Sequence, residues 1–319
     1  MSQHRYILEP YKGMNSRHIC PECKNRDRSF ALYIDTVTGQ IVYSTVGRCN
    51  HESGCGYHCT PKQYFQVSNI SFDTEKRPRH QSRKLPAAKI EASYIMPEVA
   101  ASTLAGYRSN NFVSFLIGLF GKEITSQLIS DYFIGTSKHW SGSTIFWQID
   151  TKGNIRAGKI MLYNATTGKR VKEPFNCITW VHKVIKQPDF NLKQCLFGED
   201  LLIDMSKPVA IVESEKTAII ASVYLPRFIW LAVGSLNNLS VERCRILVGR
   251  KVVLFPDLNG FDKWKQKAKE LSDRMPGTRF EVSEVLSQYA NEADRISGLD
   301  LADYLIKVDW KQFRNKDPV

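Results

Sequence analysis

A chain of 319 residues is long enough for two or three domains and a sizeable core, and 43% hydrophobic with 24% charged residues excludes a disordered or low-complexity protein. No apolar core follows Met1-Ser2-Gln3-His4-Arg5, and no stretch approaches about eighteen consecutive apolar residues, so no membrane partner and a cytoplasmic location are expected. A net charge of +12 favours a polyanionic partner, and the excess is local: residues 71–90 hold six basic against two acidic residues, and residues 151–195 nine against two.

Five of the eight cysteines fall between positions 20 and 59, in the pattern Cys20-Pro21-Glu22-Cys23, Cys49, Cys55 and Cys59. In a reducing compartment such clustering points to metal rather than disulfides. Two thiolates on one tight turn fill two corners of a tetrahedron and a second pair fills the others, so Cys20, Cys23, Cys49 and Cys55 are assigned to a structural Zn2+. Cys59, His51 and His58 stay open as alternatives for the last ligand. Between the pairs, Phe30–Asp35 alternates, Thr38-Gly39 turns, and Ile41–Ser44 reads as the return strand of a β-hairpin. Residues 1–70 are therefore expected to be a zinc β-ribbon, too small to fold on its own core and dependent on the metal.

Residues 71–92, with two prolines and few apolar side chains, read as a basic linker. Residues 93–200 form an α+β middle region. Helical spacing runs from Pro97 to Tyr132, with Gly121 and Gly135 as stops. The period then changes to two: Thr144–Asp150 and Ile155–Tyr163 flank a turn, and Ala165–Arg170 makes a second one, which describes an antiparallel meander. Its cations include Arg156, Lys159, Lys169, Arg170 and Lys172, interleaved with Trp147, Tyr163 and Trp180. Charge with aromatic platforms on a sheet suits single-stranded DNA.

Residues 201–319 alternate strand and helix: strands at 209–212, 228–233, 251–255 and 279–282, helices at 215–224, 239–248, 262–275 and 301–306. That order implies a parallel sheet flanked by helices, an α/β fold. Two of the apolar runs end in an acid, Glu213 and Asp257, and ligands of such sheets sit beyond the carboxyl ends of the strands. Gly234-Ser235 falls at the same edge and lets backbone N–H groups approach a phosphate or forms a plain turn. Lys216 stands beside two acids, where it touches phosphate or pairs with Glu213.

Here the chain resembles Toprim, the catalytic fold of primases, topoisomerases and some nucleases. The motifs are Val212-Glu213-Ser214-Glu215-Lys216-Thr217-Ala218, Phe255-Pro256-Asp257-Leu258-Asn259-Gly260 and Asp300-Leu301-Ala302-Asp303-Tyr304-Leu305. A ribbon, a basic middle and a Toprim-like end is also the primase order, and the whole chain resembles an uncharacterised family seen mainly in Bacteroidetes and their mobile elements. The resemblance implies Mg2+ or Mn2+ held by Glu213, Asp257, Asn259 and Asp303, with Glu213 and Asp257 catalytic. Asn259 stands where the family has a second aspartate and offers only a neutral carbonyl oxygen. The implied function is a primase-like enzyme of a mobile element that joins nucleotides on single-stranded DNA. A non-catalytic DNA-binding accessory protein with a degraded metal site is the alternative, and a Toprim nuclease the third. No Gly-x-x-x-x-Gly-Lys-[Ser/Thr] loop occurs, so a helicase is expected as a separate partner.

Overall fold

The computed structural model describes residues 4–24, 28–51, 55–67 and 91–314. They fall in two compact units, Met1–Ala87 and Ala88–Val319. Residues 71–90 of the expected linker lie outside the described residues.

The first unit is a three-stranded antiparallel sheet, β1 (Tyr6–Leu8), β2 (Phe30–Asp35) and β3 (Gly47–Cys49), followed by helix α1 (Pro61–Val67). The register pairs Tyr6 with Asp35 and Phe30 with Cys49. The hairpin expected at Ile41–Ser44 differs: Ile41 makes one bridge to Ile34, and the return strand starts only at Gly47. A turn closed by the Val46 N–H on the Tyr43 carbonyl takes up the intervening residues. The ladder resumes at a glycine because a Cβ at position 47 would collide with the Ala31 carbonyl and the Phe30 ring. Phe30, Leu32, Cys20 and Cys49 form this unit's small core, which is far short of the apolar burial that a domain of this size needs alone.

The second unit opens with α2 (Pro97–Ala101) and α3 (Asn111–Asp131). Buried Asn110 starts α3: its Oδ1 accepts from the N–H groups of Phe112 and Val113 and from Thr144 Oγ1, while its Nδ2 donates to the Gly135 carbonyl. One side chain thus caps the helix and fixes it to the following sheet. Gly121 has non-helical backbone angles (φ 81°, ψ 172°), so α3 is two helical segments that meet in a kink there, where the sequence places a stop, and the second segment runs on to Asp131. By length and composition α3 is apolar enough to cross a membrane, and the packing of Phe112, Phe115, Leu116, Phe120 and Leu128 into this unit's core accounts for that apolarity.

The antiparallel sheet has the order β4 (Ile134–Thr136), β5 (Thr144–Ile149), β6 (Ile155–Met161), β7 (Ile178–Trp180), and short helix α4 (Val181–Val184) follows it. All of β5 is buried, because both faces of this sheet are covered. The parallel sheet is built from β8 (Val209–Val212), α5 (Glu215–Tyr224), β9 (Ile229–Ala232), α6 (Val241–Cys244), β10 (Lys251–Leu254), α7 (Phe261–Arg274) and β11 (Arg279–Val282), with strand order β11-β10-β8-β9. Helices α8 (Val285–Tyr289), α9 (Glu292–Ser297), α10 (Leu301–Leu305) and α11 (Lys311–Arg314) close the chain. Phe197 adds one antiparallel bridge to the outer edge of β9, exchanging two hydrogen bonds with Ala232. Val209 to Val212 are buried throughout, as a strand covered on both faces requires.

Candidate metal centre and acidic edge

The four cysteines assigned to zinc come together. Cys20 is on the turn before β2, Cys49 ends β3, and the Sγ atoms of Cys20, Cys23, Cys49 and Cys55 all lie within 4.8 Å of one another. Cys20 and Cys55 are 3.7 Å apart and Cys23 and Cys49 3.9 Å apart. A tetrahedron with Zn–S bonds of about 2.3 Å has edges of about 3.8 Å, so the cluster fits this ion. Of the alternatives, Cys59 Sγ faces the Thr60 carbonyl at 3.9 Å and His58 Nε2 meets Tyr33 Oη at 3.0 Å, whereas His51 stands at the rim of the cluster, its Nδ1 3.8 Å from Cys23 Sγ and 3.2 Å from Ser29 Oγ. Burial pushes the Cys49 thiol up to about 12 and raises Cys20. Both reach the thiolate form only when a metal supplies the compensating charge.

The second centre is the carboxyl edge of the parallel sheet. β8 and β10 are hydrogen-bonded neighbours, Leu254 opposite Ile211, so Glu213 and Asp257 leave adjacent strand ends. The Gly234 N–H donates to the Glu213 carbonyl at 2.7 Å, which puts the glycine at the same edge, with φ of +73°. Asp300 and Asp303 reach this edge from α10. They form a capping box, with the Asp303 N–H on Asp300 Oδ1 at 3.0 Å and the Asp300 N–H on Asp303 Oδ2 at 3.1 Å.

Burial raises both Glu213 and Asp257 above the ordinary carboxylate range. For Asp257 the charges of Asp300 and Glu213 add to the rise; for Glu213 the positive charges of Lys159 and Arg170 oppose it. A folded-state value above the unfolded one makes these acids destabilising once the unfolded chain ionises. Stability is fullest below the ordinary aspartate value of 3.8 and is lost as pH climbs from there through the raised value. Asp257→Asn should therefore melt higher than the wild type at about pH 8, by about 2–4 °C for each kcal/mol of relieved charge. The gain should vanish at about pH 2, where both states are protonated; an equal gain at both pH values would contradict this electrostatic origin.

Several residues expected to hold nucleic acid or metal have other duties. Lys159 is 9% exposed and donates to both oxygens of Glu215, at 3.0 and 3.1 Å; Glu215 is itself 1% exposed. It is therefore a structural cation that ties β6 to α5, and not a surface contact for DNA. Lys216 does not pair with Glu213; its Nζ lies 3.5 Å from Asp300 Oδ2 and 3.4 Å from Asp303 Oδ1. Each oxygen of Asp303 thus already has a donor, Lys216 on one and the Asp300 N–H on the other, so a cation bound there would compete with Lys216. Arg156 pairs with Asp150 at 3.3 Å and stacks on Tyr94. Of the aromatic platforms, Trp147 and Tyr163 are buried core and only Trp180 is partly exposed. Asn259 is exposed, with its amide nitrogen 2.8 Å from where a Cβ on Gly298 would lie.

Lys169, Arg170 and Lys172 are exposed. They follow a turn in which Asn164 Oδ1 accepts from the N–H groups of Thr166 and Thr167 and Gly168 packs on the Phe115 ring. Arg170 bridges back to Tyr163, and its charge is felt at Glu213, so this turn lies on the acidic edge's side of the unit.

Fold and site together define a zinc-ribbon unit and a mixed α/β unit whose parallel sheet carries carboxylates at one edge. Residues 4–70 match the family described as a zinc beta-ribbon finger, and residues 110–258 match a domain of unknown function (DUF6371). No curated protein sequence matches the chain. Among solved structures, the chain is similar to the primase fragment of the bacteriophage T7 primase-helicase protein, at 12% identity and TM-score 0.39 over 88% of this chain and 98% of that one. The E. coli primase catalytic core gives 12% identity and TM-score 0.40 over 66% and 82%. The Aquifex aeolicus primase, with its zinc binding and RNA polymerase domains, gives 14% and 0.37 over 97% and 79%. At these identities and scores the likeness speaks to neither substrate nor activity.

Proposed function

We propose that the chain is a Toprim-like, primase-type nucleotidyltransferase whose chemistry sits at Glu213 and Asp257. The observation that carries this reading is the pair itself. Two acids leave neighbouring parallel strands, burial raises both, and among the described residues no hydrogen-bond donor reaches either carboxylate. Acids held at such a cost to stability are poised for a cation or a proton. A divalent ion, when bound there, supplies neutralisation of charge on a reacting phosphate and orients the attacking hydroxyl. Glu213, raised toward neutrality, accepts the proton from that hydroxyl. The exposed cations Lys169, Arg170 and Lys172 then hold the phosphates of single-stranded DNA on the same side.

The exposed position of Asn259 favours a second reading, in which the edge no longer binds metal tightly and the protein only holds DNA. Template-dependent incorporation of labelled nucleotides with Mg2+ or Mn2+ separates the two. The wild type should incorporate, and Glu213→Gln and Asp257→Asn should each fall by about 10²-fold or more. Equal signal from all three proteins would remove the catalytic assignment. Retained DNA binding with no incorporation by the wild type would favour the second reading.

A further inference from the structure

We infer that Lys216 is a resident counter-cation that limits this edge to a single divalent ion, held between Glu213 and Asp257. The inference rests on the proposed cation-binding character of the edge, and not on which reaction follows. All four carboxylate oxygens of Asp300 and Asp303 already have donors. Asp300 Oδ1 takes the Asp303 N–H, and Asp300 Oδ2 takes Thr217 Oγ1 at 2.8 Å with the Lys216 ammonium at 3.5 Å. Asp303 Oδ1 takes Lys216 Nζ at 3.4 Å, and Asp303 Oδ2 takes the Asp300 N–H. Thr217 and Lys216 both belong to the first turn of α5, so a rigid helix presents the two donors together.

A second ion shared with Asp300 and Asp303 would have to displace an ammonium that the backbone holds in place. Tethering gives that ammonium a high effective concentration, against which a hydrated ion competes poorly. Mg2+ and Mn2+ also keep several waters and need only one or two carboxylates. Glu213 and Asp257 are that many, and their oxygens are the uncommitted ones. Asn259, in the position where a second aspartate would widen the site, adds no charge.

The test counts Mn2+ bound per chain in the full-length, zinc-loaded protein, from the loss of the free-ion electron paramagnetic resonance signal. The wild type should bind one Mn2+ and Lys216→Met two. Asp303→Asn, which leaves Lys216 on Asp300, should stay at one. If Lys216→Met is unfolded without ions, a melting transition restored by Mn2+ supports the inference, and no restoration overturns it. Two ions on the wild type, or one on a folded Lys216→Met, would also overturn it while leaving the edge a cation site. No Mn2+ on the wild type would overturn the inference and the cation reading together.

Discussion

Chelation of zinc from the full-length protein should abolish hydrogen-exchange protection across Phe30–Asp35, and Cys49→Ser should do the same without chelator. Among the described residues the first unit's buried apolar side chains are few, Phe30, Ala31, Leu32 and Val46 beside the cysteines, so the ion is its principal source of stability. Structural zinc binding contributes on the order of 10–16 kcal/mol in small metal-folded domains, more than a unit of this size can replace. Acidification should release the ion as well, because protons compete for the thiolates; with Cys49 pushed up to about 12 in the metal-free state, its proton competes strongly. Cys59→Ser should keep one zinc per chain, since Cys59 faces the Thr60 carbonyl and not the cluster. Protected β2 amides in chelator-treated protein, or zinc lost from the Cys59 variant, would count against this centre.

Breaking the Lys159–Glu215 pair from one side should destabilise the second unit by about 3–5 kcal/mol, since it strands the other charge in the core. Glu215 is 1% exposed and Lys159 9% exposed, so neither has solvent to fall back on. Lys159→Met and Glu215→Leu should each show the loss in denaturant melts. The double variant should recover most of it, because an apolar pair of similar volume carries no desolvation cost. A surface role for Lys159 predicts the opposite pattern: each single variant folds normally and only DNA binding weakens. Urea midpoints of the three variants decide between these outcomes.

Parts of this architecture are written plainly in the chain. Val209–Val212 is a closed apolar run between Pro208 and an acid, and Ser214 caps the helix after it by accepting from the Thr217 N–H, so β8 and α5 lie where the sequence puts them. The four zinc cysteines were legible for a similar reason, as their spacing carries the chemistry. Strands β4 and β7 span three residues each, too short for a period to show. The role of Lys159 depends on a partner 56 positions later, which no local pattern encodes. One signal for it was present: Lys159 interrupts the apolar run Ala157-Gly158-Lys159-Ile160-Met161, and a cation inside such a buried run needs an internal partner. Asp303 is an expected metal ligand because the Asp300–Leu305 motif resembles one; the same spacing of Asp300 and Asp303 is that of a capping box, and the backbone has used it so.

The single bridge from Phe197 to Ala232 bears on how the protein behaves in a crowded solution. Strand β9 lies at one margin of the parallel sheet, and an apolar strand margin is a template on which another chain can add. Phe197 occupies the hydrogen-bonding groups of Ala232 at 2.9 and 3.1 Å, which interrupts that template at its carboxyl end. At the opposite margin β11 carries Arg279 and Glu281, joined to each other at 2.6 Å, so an incoming strand there meets charge. Both sides of the sheet are thereby guarded against edge-to-edge self-association, which lets a short, fully apolar strand such as Val209–Val212 exist at its centre without making the protein prone to aggregate.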